Sequence, residues 1–341
     1  MRKRACSPGV SRAPNERVQV TQTERPVSDE GFDDAVLSFA AERLDLRGRL
    51  ARLGPSIDAI LARHAYPAPV ARLLAEAAAL TVLLGAALKV EGRFQLQTRS
   101  SGVVDLMVVD YEAPDRLRAF ARFDGERLGA AVTAGRDATT DLLGRGHLAF
   151  TIDPGGDMQR YQGVVPLEGE SLEEAAQAYF RQSEQIPTFV RLAVGEEMTG
   201  RQTHWRAGAL MAQYLPQSED RQRALRERAP EAAGDGGAGD DIGDLWNEGR
   251  ALAATVEAHE LLDPNLSGER LLYRLFHESG LRVFDTRRVR ESCRCSTESI
   301  RAMLKRFSPA ERADMVGDDG RIGVTCEFCS TKRTFDPAEF D

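Results

Sequence analysis

The sequence predicts an α+β protein: an N-terminal α/β core with an antiparallel sheet and packed helices, a helical linker, and a small C-terminal zinc-binding domain. Three observations predict it. Short runs of period-two alternation between residues 94 and 153 are bracketed by segments of helical periodicity. The composition changes abruptly after Pro216, first to charged and then to Gly/Asp-rich sequence. Four of the five cysteines crowd between Cys293 and Cys329. The chain then divides into residues 1–31, an expected disordered extension; 32–216, the core; 217–286, the linker; and 287–341, the cysteine module.

Within the core, PVARLLAEAAALTVLLGAALKVEG (Pro69–Gly92) is apolar around most of its circumference, which predicts a helix buried inside a domain, with Gly92 as its C-cap. Four strands are expected next: FQLQTR from Phe94, VVDLMVVD from Val103, RLRAFARF from Arg116, and GHLAFTID from Gly146, in which Leu148, Phe150 and Ile152 alternate. Ser171 and Glu174 form a capping box for a helix that runs until Ile186-Pro187 stops it. A strand, TFVRLAV, follows, and GALMAQYLP reads as the last ordered segment of the core.

The linker opens with SEDRQRALRER and continues as APEAAGDGGAGDDIGD (Ala229–Asp244), too poor in apolar residues to order itself. Two amphipathic segments follow, LWNEGRALAATVEAHELL from Leu245 and SGERLLYRLFHESG from Ser267. Leu271, Leu272, Leu275 and Phe276 of the second form one stripe, expected to dock on the core.

Charge and composition narrow the function. The 53 acidic and 45 basic residues give a net charge of −8, which opposes nucleic acid as a main partner. Forty-one of the basic residues are arginines interleaved with acids, and they read as compositional background. The longest uncharged apolar run, Ala77–Leu88, is shorter than the roughly 18 residues of a membrane span, so no membrane is expected. The first thirty residues are basic at the start yet lack an apolar h-region, and Glu16, Glu24, Asp29 and Glu30 interrupt a transit-peptide pattern. A cytoplasmic chain is expected.

The cysteines carry the chemistry. Cys293 and Cys295 form a C-x-C pair and Cys326 and Cys329 a C-x-x-C pair, with 30 residues between the pairs. Four thiolates from two close pairs suit tetrahedral zinc, and a four-sulfur site leaves no open position for metal-bound water, so a structural or redox role is expected and a zinc hydrolase is not. Cys6 stands apart. Between the pairs, Ser296 caps a helix with Ile300, Met303, Leu304 and Phe307 on one face, and Ser308, Pro309 and Glu311 give N-cap, N1 and N3 of a second. GRIGVTCEFCSTKRTF reads as a hairpin with the C-x-x-C knuckle at its turn. About fifty residues make a marginal core, so metal binding is expected to supply much of the folding energy, on the order of 10 kcal/mol. Arg287–Asp341 holds eleven basic and ten acidic residues, unlike a nucleic-acid zinc ribbon.

CRCS, the long spacer and CEFC resemble the thirty-three-kilodalton heat-shock protein family, redox-regulated holdase chaperones. GRFQLQTRSSGVVDLMVVDY, YQGVVPLEGESLEEAAQAYFRQSEQIPT and AGALMAQYLP resemble segments of that family's core, and LLYRLFHESGLRVFD the approach to its zinc domain. The resemblance spans about Phe32 to Phe340. It implies zinc on Cys293, Cys295, Cys326 and Cys329, and the same four residues as redox-active disulfides, Cys293 with Cys295 and Cys326 with Cys329. It further implies a non-enzymatic protein that is inactive when reduced, then on oxidation loses zinc, partly unfolds, dimerises and holds unfolding client proteins without ATP. A thiol-disulfide oxidoreductase and a zinc-stabilised interaction module without redox switching are the alternatives.

Ser183, Glu184 and Gln185 match a segment of the same family but read as a polar helix end. His64, His147, His204, His259 and His277 show no ligand spacing and read as surface or packed side chains. Asp235–Asp244 lacks the spaced oxygens and terminal Glu of an EF-hand.

Overall fold

The computed structural model describes residues 33–88, 92–156, 158–215 and 240–340. The expected disordered extension and residues 229–239 of the Gly/Asp-rich insertion lie outside the described residues. Residues 240–244 of that insertion depart from the expectation, because they open a helix that runs on to Ala254.

Strands β1 (Ala35–Ala41) and β2 (Leu46–Leu53) are an antiparallel pair, and β2 pairs in turn with a long strand near the end of the core. Neither was expected from sequence. AVLSFAA is buried along nearly its whole length, so it has no apolar/polar alternation to reveal it. Helix α1 (Pro55–Ala62) follows, and α2 (Ala68–Gly85) is the predicted apolar helix. By length and composition α2 could cross a membrane, yet most of it is buried inside the molecule. It ends at Gly85, not at Gly92. A Cβ at residue 85 would stand 2.7 Å from the Tyr111 ring, so the glycine lets the second sheet close on the helix end.

That second sheet contains β3 (Arg93–Ser100), β4 (Val104–Glu112), β5 (Arg116–Phe123), β6 (Arg145–Asp153) and β7 (Tyr161–Glu168) in the order β5-β4-β3-β6-β7. The four expected strands are present; β7, an edge strand carrying Pro166, is additional. Helices α3 (Gly125–Thr133) and α4 (Thr139–Leu143) lie between β5 and β6. The predicted capping box opens α5 (Leu172–Tyr179), which widens into a π turn over Phe180–Glu184 and stops at Gln185 with φ 55°. Strands β8 (Thr188–Thr199) and β9 (Gln202–Tyr214) form a hairpin that completes the first sheet, so the GALMAQY part of the expected segment is the end of a much longer strand.

Both sheets press on α2. Its Leu73, Leu74, Leu80 and Leu83 share one core with Leu53 of β2, Met211 of β9, Leu96 of β3 and Val109 of β4. The outer face of the first sheet is covered by α6 (Asp240–Ala254), α7 (Ala258–Leu262) and α8 (Gly268–Phe276). The predicted stripe docks there: Leu271, Leu272 and Phe276 are fully buried and Phe276 stacks on Phe39 at 5.2 Å. Arg52 of β2 donates to the carbonyls of Glu260, Asp263 and Leu266, tying the α7–α8 turn to the sheet.

Beyond α8 the chain crosses between the sheets. Strands β10 (Leu281–Val283) and β11 (Arg287–Arg288) pair with β1, and β12 (Arg290–Glu291) pairs in parallel with β5. Cys293 therefore begins at the edge of the second sheet. The last part holds α9 (Thr297–Leu304), α10 (Pro309–Asp314) and the hairpin β13 (Ile322–Thr325) with β14 (Lys332–Phe335). Ser296 and Ser308 cap the two helices as expected. The predicted four-residue apolar face is shorter: Ile300 and Leu304 are buried, Met303 is exposed, and Phe307 lies past the helix end.

Candidate metal centre

Two short segments carry the four cysteines to one point. Ser292 N–H donates to Leu117 O at 2.9 Å, which extends the β12–β5 pairing and fixes the start of the C-x-C loop. The C-x-x-C knuckle is the turn between β13 and β14, closed by Cys326 N–H to Thr331 O (3.1 Å) and Ser330 N–H to Cys326 O (2.8 Å). The four Sγ atoms lie within 4.8 Å of one another. Cys293 Sγ is 3.7 Å from Cys326 Sγ, and Cys295 Sγ is 3.3 Å from Cys329 Sγ. A tetrahedral site with zinc–sulfur bonds of about 2.3 Å needs sulfurs about 3.8 Å apart, so the cluster suits that ion in both donor type and spacing.

The surroundings divide the thiols. Burial, with the neighbouring thiols, pushes Cys293 up to about 12, and burial also raises Cys295. Burial opposes the Cys329 thiolate as well, but the Thr331 hydroxyl and amide and the adjacent thiols outweigh it and bring Cys329 down to about 6. Arg333 donates to Cys295 Sγ and to Cys295 O, each at 3.3 Å. The apolar support is slight: Ile300, Leu304, Ile322 and Phe335 form the buried cluster, with Val316, Val324 and Phe340 packed against it. That small core joins the helices to the hairpin, and the four cysteines bring the C-x-C loop to the hairpin's turn as a second meeting point.

Both cysteine loops rest on the core through the residues between their cysteines. Arg294, inside C-x-C, reaches Glu112 at 3.5 Å and Asp110 at 3.7 Å. Phe328, inside C-x-x-C, lies under the Arg118 guanidinium at 3.9 Å and beside Phe120 at 6.2 Å between ring centres. His64 bonds to the same knuckle through Nε2 to Phe328 O (3.2 Å) and Nδ1 to Ser330 Oγ (3.0 Å). A carbonyl can only accept, so Nε2 carries the proton there. Arg63 pairs with Glu291 at 2.6 Å.

All four predicted ligands are thus brought together, while Cys6 lies outside the described residues. Sequence reasoning missed the residues around them. His64 was read without a role and the arginines as background, yet His64, Arg118, Arg294 and Arg333 surround the cluster. The one local signal was Phe328, an aromatic residue at the tip of a polar turn. Glu184 accepts from Tyr179 at 2.8 Å, which agrees with a structural reading of the Ser183–Gln185 segment.

The comparisons with known proteins agree with this architecture. A family model described as "Hsp33 protein" matches residues 34–336. A protein of Caulobacter vibrioides named "33 kDa chaperonin" is 45% identical over 308 residues, covering 90% of this chain and 96% of that one. One of the same name from Ectopseudomonas mendocina is 35% identical, covering 90% and 94%. The crystal structure of the 33 kDa chaperonin from Thermotoga maritima superposes with a TM-score of 0.68 at 18% identity over 90% of this chain and 96% of that one, a likeness of fold. With its cysteines converging as described and the match running through both sheets, the linker helices and the cysteine module, this chain belongs to the Hsp33 family.

Proposed function

We propose that this chain is a redox-regulated holdase chaperone: oxidation of its cysteines opens the C-terminal module, and the opened protein keeps unfolding proteins from aggregating without ATP. Family membership supports the chaperone role, and the observation that carries the switch is the convergence of four cysteines in a module with almost no core of its own. Cys293, Cys295, Cys326 and Cys329 would hold zinc, which when bound supplies the cross-link between the C-x-C loop and the hairpin. Oxidation joins two thiolates in each disulfide, and the oxidant, a peroxide, takes up the electron pair and leaves as water. Each disulfide removes two sulfur donors, so the module loses its main stabilising interaction. The expected pairs are Cys293 with Cys295 and Cys326 with Cys329, because short loops keep those partners close after opening.

On this reading residues 32–216 form the core, 217–286 the linker and 287–341 the switch. The partners are unfolding clients and, once oxidised, a second copy of the chain, without nucleic acid or membrane. The compartment is the cytoplasm, and no residue is assigned a catalytic role. Light scattering from an aggregating client tests it. Oxidised protein should suppress the signal without nucleotide and reduced, metal-loaded protein should not; equal protection by both forms would reject the switch.

A further inference from the structure

The C-x-x-C knuckle covers a defined patch of the core. Phe120 and Arg118 stand on the outer face of β5, opposite the buried Leu117, Ala119 and Ala121. Tyr66 and His64 come from the α1–α2 turn and stack on each other at 4.9 Å, with His64 6.2 Å from Phe120. Tyr66 is locked to β5 by hydrogen bonds in both directions with Ala121, 3.0 and 3.2 Å. Arg118 is held by Asp110 through its Nε at 2.8 Å, and Asp110 is itself 2% exposed. The patch is therefore built from core elements, and Tyr66 and Arg118 are held in place by partners within the core.

Its occupant shows what it accepts. Phe328 enters with its ring beneath a guanidinium and against another ring, its own carbonyl receiving the His64 Nε2 proton. Glu327, one residue earlier, is exposed and within electrostatic range of Arg122. Aromatic capture, a backbone hydrogen bond and a basic rim are contacts that any extended segment with an aromatic residue beside an acidic one can reproduce.

We propose that His64, Tyr66, Arg118 and Phe120 form a docking site for aromatic side chains of unfolding polypeptide, and that Phe328 fills it from within until the module opens. The inference rests on the redox-holdase reading and adds to it where a client binds and why binding and the closed module exclude each other. One surface cannot hold Phe328 and a client ring together.

The test uses the full chain in reduced, metal-loaded and in oxidised form, with a fluorescent peptide Ac-Ser-Glu-Phe-Ser-Ser-Thr-amide and its Phe→Ala counterpart. The oxidised chain should bind the Phe peptide about tenfold more tightly than the Ala peptide, the scale of a desolvated ring and cation–π contact, and the reduced chain should bind neither. Arg118→Ala and Phe120→Ser, each checked for metal content and melting when reduced, should weaken peptide binding and client protection about tenfold after oxidation. Phe328→Ala should let the reduced, metal-loaded chain bind the Phe peptide. If the oxidised wild type protects a client while both core variants protect equally well and the two peptides bind alike, the docking site is wrong and the holdase reading stands. If the oxidised wild type does not protect, the holdase reading fails, and the peptide comparison still decides whether this patch accepts an aromatic ring.

Discussion

Cys293 and Cys329 meet at one point yet differ in acidity. Burial pushes Cys293 up to about 12, whereas at Cys329 burial is outweighed by the Thr331 hydroxyl and amide and the adjacent thiols, which bring it down to about 6. All four must lose protons to bind a metal, so acid competes with the ion and affinity should fall as pH falls. Serine at Cys293, Cys295, Cys326 or Cys329 should each abolish stoichiometric metal, while Cys6→Ser should leave it at one ion per chain; metal analysis of the reduced proteins checks this. A second titrating residue lies in the core. Glu76 of α2 is raised from 4.5 to about 7, by burial first and then by Glu173, with Thr139 and Arg72 opposing. The proton it retains stabilises the fold fully below pH 4.5, and that contribution is lost as pH rises through 7. Glu76→Gln should therefore raise the unfolding free energy by about 2 kcal/mol at pH 8 and change it little at pH 4.5, measured by denaturant titration.

At the scale of elements, the linker helices belong to the packing of the core as much as to the linker. α8 places Phe276 on Phe39, while Arg52 holds the preceding turn by three carbonyls. Gly48 makes this possible, because a Cβ there would lie 2.3 Å from the Phe39 ring. Phe276→Ala should cost about 3 kcal/mol, as buried aromatic truncations do, and should speed hydrogen exchange in α7 and α8 before it affects α2. A variant that lost the same stability with uniform exchange across both sheets would show that the helices and core open as one unit. The caps of α5 and α10 work locally, since each serine accepts from a backbone N–H within its own first turn.

For the whole molecule, the route of residues 287–291 matters most. β11 pairs with the first sheet and β12 with the second, so the chain entering the C-x-C loop is tied to both. Disturbance at the cysteines therefore reaches β1 and β5 through a few residues of strand. Peroxide treatment should join Cys293 to Cys295 and Cys326 to Cys329, make residues beyond 291 protease-sensitive, and shift the chain toward dimer. Peptide mapping, limited digestion and sedimentation check these in turn. Dominant links between the C-x-C and C-x-x-C loops would mean that oxidation occurs in the folded module, where Cys293 faces Cys326 and Cys295 faces Cys329.

The sequence by itself determined whatever is encoded locally. The ligand set is legible because C-x-C and C-x-x-C are short-range spacings, and so are the Ser171–Glu174 and Ser308–Glu311 caps. The strands of the second sheet alternate because it packs on α2 with one face and leaves much of the other to polar residues. The tertiary structure alone decided β1 and β2, buried on both faces by α2 and by the linker helices and so without a period to read. It also decided that α2 stops at Gly85, where Tyr111 arrives from β4, and that His64, Arg118 and Phe328 meet. His64 and Phe328 are 264 residues apart, and no local pattern records a contact made by closing a loop of that length.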